Sequence, residues 1–133
     1  MVQRVWARQL MAAAVMGGVW PAAALAADVN VTSDTTTGVN LDSDVGSTAE
    51  IASGVNVSNG IAQDVVTAAT SAWTVTNSGT ITSDFAQDVV LSVGGSSVVN
   101  YGVIDGSSNN AIVLANGGSA TNEAGATITT AMI

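Results

Sequence analysis

The sequence contains no cysteine and no histidine among its 133 residues. A disulfide framework is therefore impossible, as are thiolate or imidazole metal sites and catalytic Cys or His residues. Lysine and arginine total only 2, against 10 aspartates and glutamates, which gives a formal net charge of -8. A basic footprint for nucleic acid is absent, because phosphate binding depends on Lys and Arg.

The two basic residues, Arg4 and Arg8, open a segment that has the order of a secretory signal peptide. An apolar run follows and closes on Ala24-Leu25-Ala26, a small-x-small cleavage signal. A membrane anchor fits less well, because the run is short for a span of about 20 residues and contains Pro21. We predict a helical signal peptide over residues 1–26, and a protein secreted through the periplasm to the cell surface or the medium. Cleavage would change the net charge from -8 to -10, because the 10 acidic residues would then face no basic one.

The remaining chain is an internal repeat with a period of about two dozen residues. One element has the form Val/Thr-x-Asn-x-Gly-x-Ile, and its copies place glycines 23 residues apart, at Gly79, Gly102 and Gly125. A second element lies between these copies. It reads Ile61-Ala-Gln-Asp-Val-Val66, then Phe85-Ala-Gln-Asp-Val-Val90, with a looser third copy from Asn110 to Gly118. Two different elements that share one period are not expected by chance.

Each repeat unit has the composition of short strands and tight corners. Val, Ile and Thr favour extended backbone, whereas Gly, Asn, Asp and Ser stand at the breaks. We predict an all-β fold, a right-handed parallel β-helix (solenoid) of about three to four coils over residues 48–133. Residues 27–47 are expected to form an N-terminal cap or a first irregular coil. An antiparallel sandwich would explain the strands but not the period.

Stacked coils would place equivalent side chains one above another, about 4.8 Å apart. The expected aliphatic ladders are Val75 over Val98, Leu91 over Leu114, and Ile81 over Ile104 over Ile128. The corner residues Asn77 with Asn100, and Gly79 with Gly102 and Gly125, complete the predicted structural ladder. The asparagines either bond to one another through their amides or act as ordinary turn residues, and the sequence favours neither alternative.

The units Thr-Val-Thr-Asn77-Ser-Gly79-Thr-Ile81 and Leu91-Ser-Val-Gly94-Gly95-Ser-Ser-Val-Val-Asn100-Tyr-Gly102-Val-Ile104 resemble passenger-domain repeats of bacterial autotransporters. So does the signal peptide before them. The resemblance covers residues 48–133. It implies an exported β-helical passenger of a Gram-negative bacterium, secreted or at the cell surface, and often adhesive toward host-surface or cell-surface molecules.

The sequence departs from this family at its C-terminus. Family members end in an outer-membrane β-barrel, which needs many strands of about 9–11 residues. This sequence stops at Ile133 inside a unit, so we expect an N-terminal piece whose contact with the membrane runs only through the missing barrel. The alternatives are a self-sufficient secreted protein, whose open last coil would favour self-association, and a truncated reading frame without function.

Catalysis would depend on carboxylates, because a Ser-His arrangement is impossible without histidine. Asp64 and Asp88 lie 24 residues apart at matching repeat positions. We expect them to stack one coil apart, where they could act as an acid–base pair on a glycoside. A β-helical carbohydrate-active enzyme is therefore the alternative function. Because the third unit has Ala111 at this position and no basic residue remains to hold an anionic substrate, we predict no enzyme and no cofactor.

Calcium is the remaining ligand to consider, since Asp28, Asp34, Asp42 and Asp44 supply hard oxygen atoms. Their spacing matches no calcium-binding loop. We interpret these residues as solvated acidic turns and predict no metal site.

Two aromatic residues, Trp73 and Tyr101, are candidates for contacts on the outer face. Tyr101 follows Asn100 where Ser78 follows Asn77, so we expect its ring to be exposed.

Overall fold

The computed structural model describes residues 27–106 and 109–130. Within them the chain forms thirteen short β-strands and, apart from one 3-10 turn at Leu41–Ser43, no helix. In chain order the strands are β1 (Val29–Val31), β2 (Val39–Asn40), β3 (Thr48–Ile51), β4 (Asn56–Ser58), β5 (Val66–Ala68), β6 (Thr74–Asn77), β7 (Thr80–Thr82), β8 (Val89–Leu91), β9 (Ser96–Asn100), β10 (Val103–Gly106), β11 (Ile112–Leu114), β12 (Gly118–Asn122) and β13 (Thr127–Thr130). The signal-peptide helix predicted over residues 1–26 lies outside the described residues.

The strands of the described residues form three parallel sheets. Their orders are β1-β3-β6-β9-β12, β4-β7-β10-β13 and β2-β5-β8-β11. From β3 onward, successive strands enter the three sheets in strict rotation, so the chain winds in coils rather than folding back in hairpins. The fold is an all-β parallel β-solenoid of about four turns, which confirms the predicted solenoid class.

The aliphatic ladders follow the predicted register. Val75 pairs with Val98, and Leu91 pairs with Leu114. Ile104 pairs with Ile81 on one side and with Ile128 on the other. Each column continues through the coils because β-branched and leucine side chains repeat at the inward positions of the strands.

Residues 27–47 wind beneath the first clear repeat unit. β1 pairs in parallel with β3, and β2 pairs in parallel with β5. Between them Thr35 forms an isolated parallel bridge with Val57. The fully buried side chain of Leu41 closes this end of the core.

The core is narrow and filled mainly by small branched side chains. β6 and β9 alternate between buried and half-buried residues, as strands with one face inward must. Trp73, a candidate for contacts on the outer face, is not available for them, because its side chain is only 1% exposed. Trp73 precedes β6 at an inward position, and its backbone N–H donates to the buried Ser96 hydroxyl at 3.3 Å.

Candidate functional site

A column of asparagine amides runs along one corner of the solenoid. Asn77 Nδ2 donates to Asn100 Oδ1 at 2.8 Å, and Asn100 Nδ2 donates to Asn122 Oδ1 at 2.8 Å. Asn77 and Asn100 are fully buried, whereas Asn122 is exposed. Each amide therefore bonds to the next along the axis of the solenoid.

The same amides also close the turns within their own coils. Asn77 Oδ1 accepts the Gly79 N–H at 3.1 Å, and Asn77 Nδ2 donates to the Gly79 carbonyl at 3.2 Å. Asn100 makes the same two bonds with Gly102 and a further bond to the Thr127 carbonyl at 2.9 Å. The ladder and the turn are thus two parts of one network, not alternatives.

Sequence reasoning misses Asn122 as a member of this column. Its repeat copy has one residue more between asparagine and glycine, which obscures the match. The strand nevertheless keeps its register, so Asn122 lies opposite Asn100. The turn that follows is two residues longer than the turn after Asn100, because Thr127 pairs with Val103. Asn122 Nδ2 donates there to the Ala126 carbonyl at 2.9 Å.

Gly79 and Gly102 allow successive coils to approach closely at this corner. A Cβ at Gly102 would overlap the Gly79 carbonyl oxygen, and a Cβ at Gly79 would overlap the Val55 carbonyl oxygen. Gly125 does not extend this glycine column, because the pairing of Thr127 with Val103 sets Ala126 opposite Gly102. Gly125 instead has a φ of 87°, a left-handed conformation that glycine adopts without steric penalty.

Several aspartate carboxylates join one coil to the next through backbone N–H groups. These hydrogen bonds measure 2.8–3.1 Å and reach residues 19 to 28 positions further along the chain. The pairs are Asp28 with Ser47 and Thr48, Asp34 with Asn56, Asp42 with Ala69 and Thr70, and Asp64 with Gln87. Three of the four residues considered for calcium thus accept protein N–H groups. In the described part of the chain no three acidic side chains are arranged to hold a metal ion.

Asp42 makes the most of these inter-coil bonds. Its carboxylate accepts the Thr70 hydroxyl at 2.7 Å and the N–H groups of Ala69 and Thr70. The hydroxyl of Thr70 first, and its backbone N–H second, hold the pKa of Asp42 below the ordinary value of 3.8. The carboxylate therefore stabilises the fold in its ionised form.

We expect Asp42→Asn to lower the melting temperature at neutral pH by a few degrees. A group with a lowered pKa contributes stability above pH 3.8 and loses it as the pH falls through the pKa of the folded state. The difference between variant and parent should therefore shrink in acid. Thermal unfolding followed by circular dichroism at several pH values measures it, with the exposed Asp44→Asn as the matched control. Equal melting temperatures for Asp42→Asn and the parent at neutral pH would contradict the capping role.

The predicted stacking of Asp64 on Asp88 is wrong. Val66 pairs with Val89, a register that sets Asp64 opposite Gln87 and Asp88 opposite Val65. Successive residues of a strand face opposite sides, so this shift by one residue puts the two carboxylates on different sides. Asp88 is buried, whereas Asp64 is half-buried. The Asp64 carboxylate caps the Gln87 N–H at 3.1 Å, and no acid–base pair forms.

Asp88 lies inside the core, where its carboxylate oxygens have no hydrogen-bond partner among the described residues. It occupies a column between Val65 and Ala111, both buried. Burial first, and the Asp105 carboxylate on β10 second, raise the pKa of Asp88 from 3.8 to about 7. The backbone of Ser83 opposes this shift without reaching hydrogen-bond geometry.

A surface cleft of about 420 Å³ lies beside the corner that carries Asp64. Its polar lining includes the amides of Asn40, Asn59 and Gln63 and the Asp64 carboxylate. These groups can exchange hydrogen bonds with a neutral polar ligand, and none of them carries a positive charge.

Four large apolar side chains of the described residues are exposed at the surface, and one of them is Val45, at 99%. Tyr101 is 56% exposed, as predicted from its place after Asn100. Phe85 and Ile61 are 66% and 62% exposed, and they occupy matching positions in the second repeat element. Sequence reasoning assigned no contact to Phe85 or Ile61, although both are large apolar residues at a polar corner.

Comparison with known proteins adds no family assignment, since no family model, no curated protein and no solved structure matched the chain. In the described residues, no helix has the length and apolar character needed to cross a membrane.

Proposed function

We propose that the chain is an exported structural segment that presents a rigid acidic β-surface outside the cell, as an adhesive autotransporter passenger does. The observation that supports this most is the stacking itself, in which parallel sheets repeat their side chains from coil to coil. Such a molecule gains contact surface by adding coils and needs no discrete site. Secretion is proposed from the sequence of residues 1–26, and adhesion from the resemblance to passenger repeats.

The proposed partners are molecules of a host surface or cell surface. Residues 27–133 carry 10 acidic and no basic side chains, so they repel anionic lipid and nucleic acid. The exposed Ile61, Phe85 and Tyr101 offer apolar contact points on this acidic surface. β12, all five of whose residues are exposed, offers an edge through which copies of the chain could also pair.

We propose no catalytic role for the chain. The glycosidase alternative required Asp64 and Asp88 side by side, and the observed register separates them. Residues 27–133 also lack any Lys, Arg or His that could position an anionic substrate or move a proton.

The proposal predicts export that depends on residues 1–26. Fusions of residues 1–133 and 27–133 to an alkaline phosphatase that is active only outside the cytoplasm compare the two directly. We expect activity from the first fusion alone, and an exported product that begins at Ala27. Purified exported protein on beads should then retain more cells than beads carrying the same protein after heat denaturation. Cytoplasmic retention of the 1–133 fusion contradicts the secretion part, and equal cell retention by the two kinds of bead contradicts the adhesive part.

A further inference from the structure

One pentapeptide, Ala-Gln-Asp-Val-Val, occurs twice in the chain and adopts two different arrangements. In the copy at 62–66 the alanine is exposed, the aspartate is half-buried, and both valines are buried. In the copy at 86–90 the alanine and the aspartate are buried, and the second valine is only half-buried. The alanine, the aspartate and the second valine therefore differ in burial between neighbouring coils, whereas the first valine is buried in both copies.

The difference arises from the length of the preceding corner. Ser58 pairs with Thr82, and Val66 pairs with Val89. The chain thus takes one residue fewer to pass the second corner, which spans residues 83–88. Because this corner is shorter, each residue of the second copy lies one strand position further along than its counterpart in the first copy. Asp88 therefore takes the inward position that Val65 has in the coil below, since neighbouring strand positions face opposite sides.

The one-residue shift buries the Asp88 carboxylate without a hydrogen bond or an opposite charge from the described residues. Within residues 27–106 and 109–130 the Asp88 carboxylate has no hydrogen-bond partner, and the core neighbours Val65 and Ala111 do not titrate. The charged group that faces it from β10 is Asp105, which repels an ionised Asp88. The corner below carries Asp64, whose carboxylate is engaged with the Gln87 N–H.

The second corner itself adds no favourable charge. Its other acidic residue, Asp84, is exposed. Residues 27–133 contain no Lys, Arg or His that could pair with Asp88. The buried arrangement is therefore suited to the protonated form of Asp88 and unfavourable for the ionised form.

We propose that Asp88 makes the corner at 83–88 a proton-controlled register switch. With Asp88 protonated, β8 keeps the buried register. With Asp88 ionised, β8 shifts by one residue into the arrangement that the first copy shows, and Asp88 takes the surface place that Asp64 has in the coil below. The molecule thus contains both states of the switch in one chain, on adjacent coils.

The shifted register removes the Asp88 carboxylate from the core and, in exchange, replaces the buried Leu91 by Ser92. In the shifted register Val89 lies opposite Val65, and Val90 lies opposite Val66, so the column remains apolar. Leu91 moves outward, opposite the half-buried Thr67, and Ser92 takes the inward position opposite the buried Ala68. Asp88 then lies opposite Asp64, in place of Gln87, whose N–H now donates to the Asp64 carboxylate. Ionisation of Asp88 decides between the registers, because only the charged form gains enough from reaching water to offset the exposure of a leucine.

A single introduced cysteine can report the register, because the chain contains none of its own. Ala86 is 9% exposed, and in the shifted register it would take the exposed place that Ala62 has in the coil below. Ala86→Cys is therefore the probe. Ala62→Cys, exposed in both registers, corrects for the pH dependence of thiol reactivity itself. Both are made in the full chain.

We expect the ratio of maleimide labelling rates, Ala86→Cys over Ala62→Cys, to rise about tenfold between about pH 5 and about pH 8 as Asp88 loses its proton. Adding Asp88→Val to both variants should hold the ratio at its value in acid. An unchanged ratio in the parent background overturns the proposal, and so does an equal rise with Asp88→Val present.

Nuclear Overhauser contacts distinguish a register shift from simple opening of the corner. At about pH 8, where ionised Asp88 predominates, the Val66 methyl groups should contact Val90 instead of Val89. A rise in labelling with the contact between Val66 and Val89 retained overturns the register switch. These readouts need neither export nor a binding partner, so they stand apart from the tests of the proposed function.

Discussion

Replacing Asp88 by valine is expected to raise the free energy of unfolding at neutral pH by up to about 4 kcal/mol. The reason is the raised pKa, from 3.8 to about 7, of a carboxyl that is buried in the observed register. Such a group leaves stability unaffected below pH 3.8 and lowers it progressively as the pH rises to about 7. Valine suits the position, because Val65 occupies the same core column one coil below.

Urea unfolding at a series of pH values measures this effect. The parent should lose stability from about pH 4 to about pH 7, and Asp88→Val should be nearly level across the same interval. Asp84→Asn, on the exposed part of the same corner, is the matched control and should keep the slope of the parent. A parent protein with level stability across this interval would refute the expectation. Since Asp42 acts in the opposite direction below pH 3.8, we expect the parent to be most stable near about pH 4.

Replacing Asn100 by alanine is expected to lower the free energy of unfolding by about 3–5 kcal/mol. Its amide donates to Gly102, Asn122 and Thr127, and it accepts from Asn77 and Gly102. An intramolecular hydrogen bond contributes about 0.5–1.5 kcal/mol net, and this substitution removes all five of these bonds at once. The Asn77 amide would keep its bonds to the Gly79 and Val103 carbonyls, and the Gly102 N–H would keep the Asn77 carbonyl, but both would lose the Asn100 oxygen.

Asn122→Ala is the control for this column, because it removes an exposed amide from its last position. We expect a loss below about 1 kcal/mol. Asn100→Asp tests the donors separately, since it keeps the acceptor oxygen but loses the Nδ2 hydrogens and adds a buried charge. It should destabilise the protein at neutral pH at least as much as Asn100→Ala. Losses of equal size for Asn100→Ala and Asn122→Ala, in chemical denaturation, would show that the column does not act as a network.

The solenoid could be predicted because its information is repeated along the chain. Two elements with one period imply coils, and β-branched residues at fixed places within the period imply which residues stack. The column from Ile81 through Ile104 to Ile128 follows from this reasoning alone. The same logic places Asn77 beneath Asn100 but cannot show that their amides point along the axis, because that depends on side-chain geometry.

What could not be predicted depends on the length of single corners. The repeat aligns Asp64 with Asp88, yet one residue fewer at the second corner sends Asp88 into the core. Conversely, two residues more after Asn122 leave its strand in register and enlarge only the turn. In a sequence alignment both changes look equally small. A length change before a strand shifts its register and so decides which side chains are buried, whereas a length change in a turn that leaves the strands in register does not.

The asparagine column gives the solenoid a dipole along its axis. In each step Nδ2 donates toward the C-terminal coil and Oδ1 accepts from the N-terminal side, so the amide dipoles add head to tail. Hydrogen bonds in such a chain polarise and so strengthen one another, by about 10–30% per bond. The network should therefore strengthen as coils are added. A partner that caps the last amide from the C-terminal side would act on every amide beneath it, and only a partner that offers an acceptor atom would fit.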